Sequence, residues 1–265
     1  MPSRHILSNW ASGPIGGAAG RSHHRFWTFS HHQDPLPTIP NSATLSLTDG
    51  ICFTGAGKML TLYFAAHTCS LASHIALLDA KATYQLKRVD FGRTEQRSLA
   101  YLEINPKARV PALVTPRGIL TETPAILAFI AHSFPEARLA PIDDPFAFAE
   151  LQAFNNYLCS TLHVAHAHRV RGNRWADDPA SFADMKRKVP QSVGACYELI
   201  ERRMLKGPWI MGESYTIADP YLFTVAQWLE DDGVDPARIP RVMEHRSRMA
   251  ERANVKRAIV EELAD

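Results

Sequence analysis

Cysteine is scarce in this chain and badly spaced for pairing: four thiols, Cys52, Cys69, Cys159 and Cys196, are spread over 265 residues without one C-x-x-C pair. A disulfide framework or a cysteine zinc site needs closer grouping, so each thiol is read singly. Long apolar runs are also missing. No stretch reaches the roughly 18 uninterrupted apolar residues that a bilayer-crossing helix needs. The compact apolar segment of a secretory signal is absent as well, and the expectation is a soluble, cytoplasmic protein without a membrane partner. Charge of one sign is lacking too: 29 basic against 27 acidic residues leaves +2, which gives no electrostatic reason to expect a nucleic acid partner. What is present is 46% hydrophobic and 21% charged residues, enough to bury a core as one large or two small domains. A small-molecule enzyme or a protein-binding module remains.

Composition changes near Met59. Residues 1–58 hold 7 of the 14 glycines and 5 of the 12 histidines, with no sustained helical or strand period, and read as a disordered extension. A transit segment, or a start assigned upstream of a true first residue at Met59, would explain the same facts. From Met59 onward the count is 25 basic against 25 acidic residues, as in an ordinary globular body.

That body opens with Leu60-Thr61-Leu62-Tyr63-Phe64, a short strand-like run, and the loop Ala65-Ala66-His67-Thr68. Leu71, Ile75 and Leu78 then recur at helical spacing, so a helix is expected to begin at or beside Cys69. Tyr84 to Val89 alternates as a second strand, which implies a parallel pair joined by a crossover helix. Val110 to Val114 and Ile119 to Thr121 form a hairpin around Thr115-Pro116-Arg117-Gly118. A helix follows, with Thr123 as N-cap and Pro124 at its first position. After the proline-punctuated link 135–145 everything is helical in pattern. Long helices are expected over about 145–170 and 179–205, a third near 218–229 behind a capping box at Thr216 and Asp219, and two shorter ones to the end.

Cys69 is the sharpest chemical candidate. A thiol at the first turn of a helix faces unpaired N–H groups and the positive end of the dipole, which favour thiolate and lower its pKa. It is read either as a nucleophile or as a small packed side chain; Cys159 and Cys196, inside helical patterns, are read as core. Val110-Pro111 either takes the cis form, opening a groove in which an extended peptide can pair, or is a trans proline at a strand edge. Glu122 and Thr123 either grip the ammonium and carboxylate of an α-amino acid or form an ordinary cap. His163 and His166 share a helical face, with His168 and Arg169 turned away. Zinc would need further ligands that no nearby spacing supplies, so no metal is expected. His166 and Arg169 are read as the wall of a substrate cleft or as a solvated face.

These pieces, in this order, resemble the glutathione S-transferase superfamily, and within it the bacterial beta class. The resemblance runs from Met59 to nearly the C-terminus. It rests on Leu62-Tyr63 with Cys69-Ser70-Leu71-Ala72-Ser73-His74-Ile75, Tyr101 to Lys107, Val110-Pro111-Ala112-Leu113, Leu120 to Thr123, and Thr216 to Phe223. It implies an α/β thioredoxin-like N-terminal domain over 59–137 and an all-α C-terminal domain over 145–265, usually as a homodimer with active sites near the subunit interface. It implies glutathione as co-substrate with no permanently bound cofactor. Cys69 becomes the residue that contacts, and can form a mixed disulfide with, the glutathione sulfur. Pro111 becomes the cis-proline, Val110 pairs with the cysteinyl unit, and Glu122 and Thr123 grip the γ-glutamyl end. Asn156 and His163 match residues placed over the sulfur from the helical domain. Two positions depart from the pattern: Ala66-His67 replaces a usual Pro-Gly pair, and Val164 replaces a basic residue.

The function so implied is a detoxifying glutathione transferase. It binds glutathione, activates its thiol, and aims it at a small electrophile or disulfide. Two alternatives share the fold, a glutathione-dependent isomerase or lyase and a non-catalytic scaffold. The serine-rich loop of the maleylacetoacetate isomerase branch is missing, and intact Cys69, Glu122 and His163 weigh against the scaffold.

Overall fold

The computed structural model describes residues 59–264; the extension expected over 1–58, with Cys52, lies outside them. The strands are β1 (Leu60–Phe64), β2 (Tyr84–Arg88), β3 (Ala112–Thr115) and β4 (Gly118–Thr121). They form one sheet in the order β2-β1-β3-β4, with β1 and β2 parallel and both other pairs antiparallel. Helix α1 (Ser70–Asp79) supplies the crossover between the parallel strands, as the sequence pattern required. Register explains the choice of apolar residues. Leu86, Leu62, Leu113 and Leu120 stand opposite one another across all four strands and so share one face of the sheet.

The short helix α2 (Leu99–Leu102) and helix α3 (Thr123–Ser133) complete this layer. The remainder is helical: α4 (Pro145–Tyr157), α5 (His163–Ala167), α6 (Pro179–Leu199), α7 (Ala218–Ala226), α8 (Pro240–Ala250) and α9 (Ala253–Leu263). The long helix expected over about 145–170 is interrupted by a π-helical turn at Leu158–Leu162, between α4 and α5, and the one expected over 179–205 ends in another, Ile200–Met204 after α6. The fold is therefore the α/β layer followed by an all-α half that the pattern predicted. Among the described residues no helix is long and apolar enough to cross a membrane.

One continuous core joins the two halves. Leu62, Leu77, Leu113, Ile126 and Ile130 belong to the same buried cluster as Leu151, Leu158, Tyr197 and Leu222. Helix α1 lies at this junction and buries nine of its ten residues, and α7 buries all nine. A helix buried all round needs neighbours on every side. One buried carboxylate is fully engaged. Buried Asp219 accepts from the backbone N–H of Ile210 (2.9 Å) and Thr216 (2.7 Å), and from His245 Nε2 (3.0 Å). The capping box is thus one-sided: Asp219 reaches back as expected, whereas the Thr216 hydroxyl accepts from Ala218, two residues on.

Candidate active site

The loop before α1 holds its shape through side chains. Thr68 Oγ1 donates to the Ala65 carbonyl at 2.8 Å, and the Ala65 N–H donates to Ser70 Oγ at 3.3 Å. His67 adopts φ 61°, the left-handed region that suits glycine. This is the physical reason why a glycine before the cysteine is the easier choice. The His67 carbonyl accepts from Trp228 Nε1 at 3.2 Å, a clamp that reaches over from the helical half. Cys69 follows as the cap residue of α1, and its Sγ donates to the Val110 carbonyl at 3.5 Å.

Val110-Pro111 is cis. The segment 101–107 fixes it: Tyr101 Oη and Asn105 Nδ2 each donate to the Arg109 carbonyl at 2.7 Å, pinning the residue just before Val110. Glu122 holds φ 72° and ψ 122°, a conformation uncommon outside glycine, and its carboxylate pairs with Lys107 Nζ at 2.6 Å. Strain at such a position is characteristic of residues held for a purpose other than stability. The N-cap of α3 is this Glu122, not Thr123; Thr123 and Pro124 are the first two helical residues. The chain turns into the helix one residue earlier than the threonine-cap rule suggests, because the strained Glu122 makes the turn.

These residues meet at one cleft of about 440 Å³. Cys69, Val110, Pro111, Glu122 and Thr123 line it from the sheet side. His163, His166 and Arg169 line it from the helical side, with Trp228 between them. His166 stacks on Trp228 with ring centroids 4.3 Å apart, and its Nδ1 contacts Asp232 at 2.8 Å. His163 packs against the same indole at 5.0 Å. Arg169 is not turned away from this face. The helix ends at Ala167, and the turn beyond it brings the guanidinium back to pair with Asp231 (3.1 Å) and Asp232 (3.3 Å).

Two further expectations are corrected. Asn156 is exposed and lies outside the cleft lining. In an unbroken α-helix residues seven apart share a face, but the π-turn at Leu158–Leu162 inserts an extra residue and rotates Asn156 away from His163. Cys159, read as core, lines the cleft instead, whereas Cys196 is buried.

The electrostatics also differ from the helix-dipole argument. Burial pushes the Cys69 thiol up from its ordinary value, against the opposing pull of the Thr123 hydroxyl, its own backbone N–H and Arg171. Desolvation outweighs the helix end, so Cys69 is held as a thiol. Burial, aided by His166 and then Arg171, Arg109 and Arg174, pushes His163 down to about 4, so its ring is neutral at physiological pH. The aromatic and basic members of the lining, Phe91, Trp228, Arg109, Arg171 and Arg174, carried no spacing signal; only the basic run after His166 hinted at them. Among the described residues no group of three or more His, Cys, Asp or Glu is gathered to hold a metal ion.

Comparison with known proteins bears on this geometry. Residues 59–132 match the family model "Glutathione S-transferase, N-terminal domain" and residues 176–253 match "Glutathione S-transferase, C-terminal domain". Glutathione S-transferase GstA of Escherichia coli O157:H7 is 30% identical over 203 residues, 76% of this chain and 97% of that protein. A glutathione transferase homologue from Sulfitobacter, solved with glutathione bound, is 46% identical with a TM-score of 0.75, covering 78% of this chain and 99% of that one. Maleylacetoacetate isomerase of Pseudomonas aeruginosa is 28% identical, over 70% of this chain and 87% of that enzyme.

Proposed function

The chain belongs to the glutathione S-transferase family, and from that premise we propose that the cleft binds glutathione as co-substrate and activates its thiol for transfer to a small electrophile, with a chemistry of the bacterial beta-class type. The observation that carries this reading is the convergence of Cys69, the cis Val110-Pro111 pair and the Glu122-Thr123 pair in one cleft. An extended γ-glutamyl tripeptide pairs its backbone with Val110. It offers its ammonium to Glu122, which already holds Lys107, and its α-carboxylate to Thr123 and the start of α3. Its sulfur then lies by Cys69. The reading keeps the expected homodimer and a cytoplasmic detoxifying role, and it no longer uses Asn156.

The raised thiol defines the role of Cys69. A protonated Cys69 donates S–H to the glutathione thiolate and so favours loss of the glutathione proton to solvent. The thiolate then forms a bond to the electrophile, whose leaving group departs with the electron pair. A neutral His163 beside Trp228 offers a second polar contact without a charge to desolvate.

The test compares Cys69→Ser and Cys69→Ala in conjugating glutathione to 1-chloro-2,4-dinitrobenzene. Serine keeps a donor, so kcat/KM should stay within about threefold of wild type, whereas alanine should lose about tenfold, the worth of one hydrogen bond to a charged group. Equal loss in both would return Cys69 to the role of nucleophile. No glutathione binding at millimolar concentration would remove the reading altogether.

A further inference from the structure

The lining of the cleft carries positive charge that no acidic side chain among the described residues pairs with. Arg169 is paired with Asp231 and Asp232, but Arg109, Arg171 and Arg174 line the same cleft with no hydrogen bond or ion pair to their guanidinium groups among the described residues. They also repel one another: partial burial and then Arg171, Arg109 and Arg97 push Arg174 down from its ordinary value. Like charges converging on one cavity cost free energy unless a ligand of opposite sign enters, and a guanidinium is the side chain best shaped to grip a carboxylate.

A count of charges on the tripeptide assigns these groups. Glutathione has two carboxylates and one ammonium. The α-amino acid end is met by Glu122 and Thr123, and Arg109, one residue before the backbone-pairing Val110, is the cation on the sheet side for the glycyl carboxylate. Two guanidiniums on the helical side are then left over. Resting on the glutathione reading above, we propose that Arg171 and Arg174 form an anion subsite for the second substrate, so that the electrophile this cleft serves carries a carboxylate. The subsite is electrically close to the chemistry, since the charge of Arg171 is felt at both Cys69 and His163. Trp175 and Trp228 flank it as apolar walls for the body of such a molecule. His166 and Arg169 support this wall through Asp232 and do not themselves supply free charge.

The test uses binding alone, so that it does not depend on turnover. Calorimetric titration of the full chain compares glutathione with two matched pairs, S-(4-carboxybenzyl)glutathione against S-benzylglutathione and S-(2-carboxyethyl)glutathione against S-propylglutathione. In wild type at least one acid should bind about tenfold tighter than its neutral partner, with an advantage that shrinks as salt rises. In the double variants R171A/R174A and R171Q/R174Q, which bracket any effect of side-chain volume on folding, the advantage should fall below about twofold. Plain glutathione should change by less than about threefold in both. Neither acid gaining over its partner would overturn the proposal. So would a loss of plain glutathione as large as the loss of the acids, which would give both arginines to the tripeptide. Wild type that binds no glutathione would overturn the parent reading, and this one with it.

Discussion

His67 shows how a single residue can be out of character and still be held. A histidine at φ 61° sits in a region that costs a residue with a Cβ on the order of 1 kcal/mol. The hydrogen bond from Trp228 to its carbonyl and the Thr68 and Ser70 side chains keep it there. Changing His67→Gly should therefore raise stability by about 1 kcal/mol in urea unfolding; a decrease would mean that the imidazole itself, not the backbone bend, is what the site needs. At this scale the sequence was half legible. The position of Cys69 at the start of a helix was readable from Leu71, Ile75 and Leu78. The direction of its pKa was not, because desolvation depends on what the rest of the fold lays over the sulfur.

Among elements, α7 is anchored at its start by one side chain. Asp219 gathers four donors on two oxygens: Ile210 N–H and His245 on one, and Thr216 N–H and its hydroxyl on the other. Asp219→Asn keeps the shape but turns an NH2 group toward two of those donors. It should cost about 3 kcal/mol, read as a lower urea midpoint at unchanged slope; a cost under about 1 kcal/mol would mean that the cap is not what anchors the helix. The capping pattern was visible in the sequence because it is local. The π-turn at Leu158–Leu162 was not, because its residues have the same helical periodicity as those on either side. That one inserted residue accounts for Asn156, which lies outside the cleft lining; Cys159, four residues before His163 and seven before His166, lines the cleft with both.

For the whole molecule, the titration of His163 couples the cleft to stability. Its folded value of about 4 lies below the ordinary 6.5. Below pH 6.5 the unfolded chain therefore takes up a proton that the folded chain refuses until about pH 4. Stability should fall over that window as pH drops, by up to about 3 kcal/mol. Urea midpoints measured across the window should flatten in His163→Gln relative to wild type; parallel profiles would show that the ring's burial is not felt globally. The parallel pair with its crossover helix, the hairpin and the two-part architecture were legible because each rests on local periodicity and turn chemistry, whereas the order of the strands in the sheet was not, because it depends on which edges meet. The cluster of Arg109, Arg171 and Arg174 was not, because it is assembled from both halves of the chain.

Helix α1 carries the cleft thiol at one end and, in its middle, His74, which is fully buried between Tyr84 Oη (3.0 Å), Glu261 (3.0 Å) and Glu262 (3.3 Å). Two of those three partners belong to α9 and are nearly two hundred positions away along the chain. During synthesis the ribosome makes His74 nearly two hundred residues before its two glutamates. A nascent chain therefore holds this imidazole uncovered until α9 has emerged, and the element that bears the thiol reaches its final packing only after almost all of the described polypeptide has been translated.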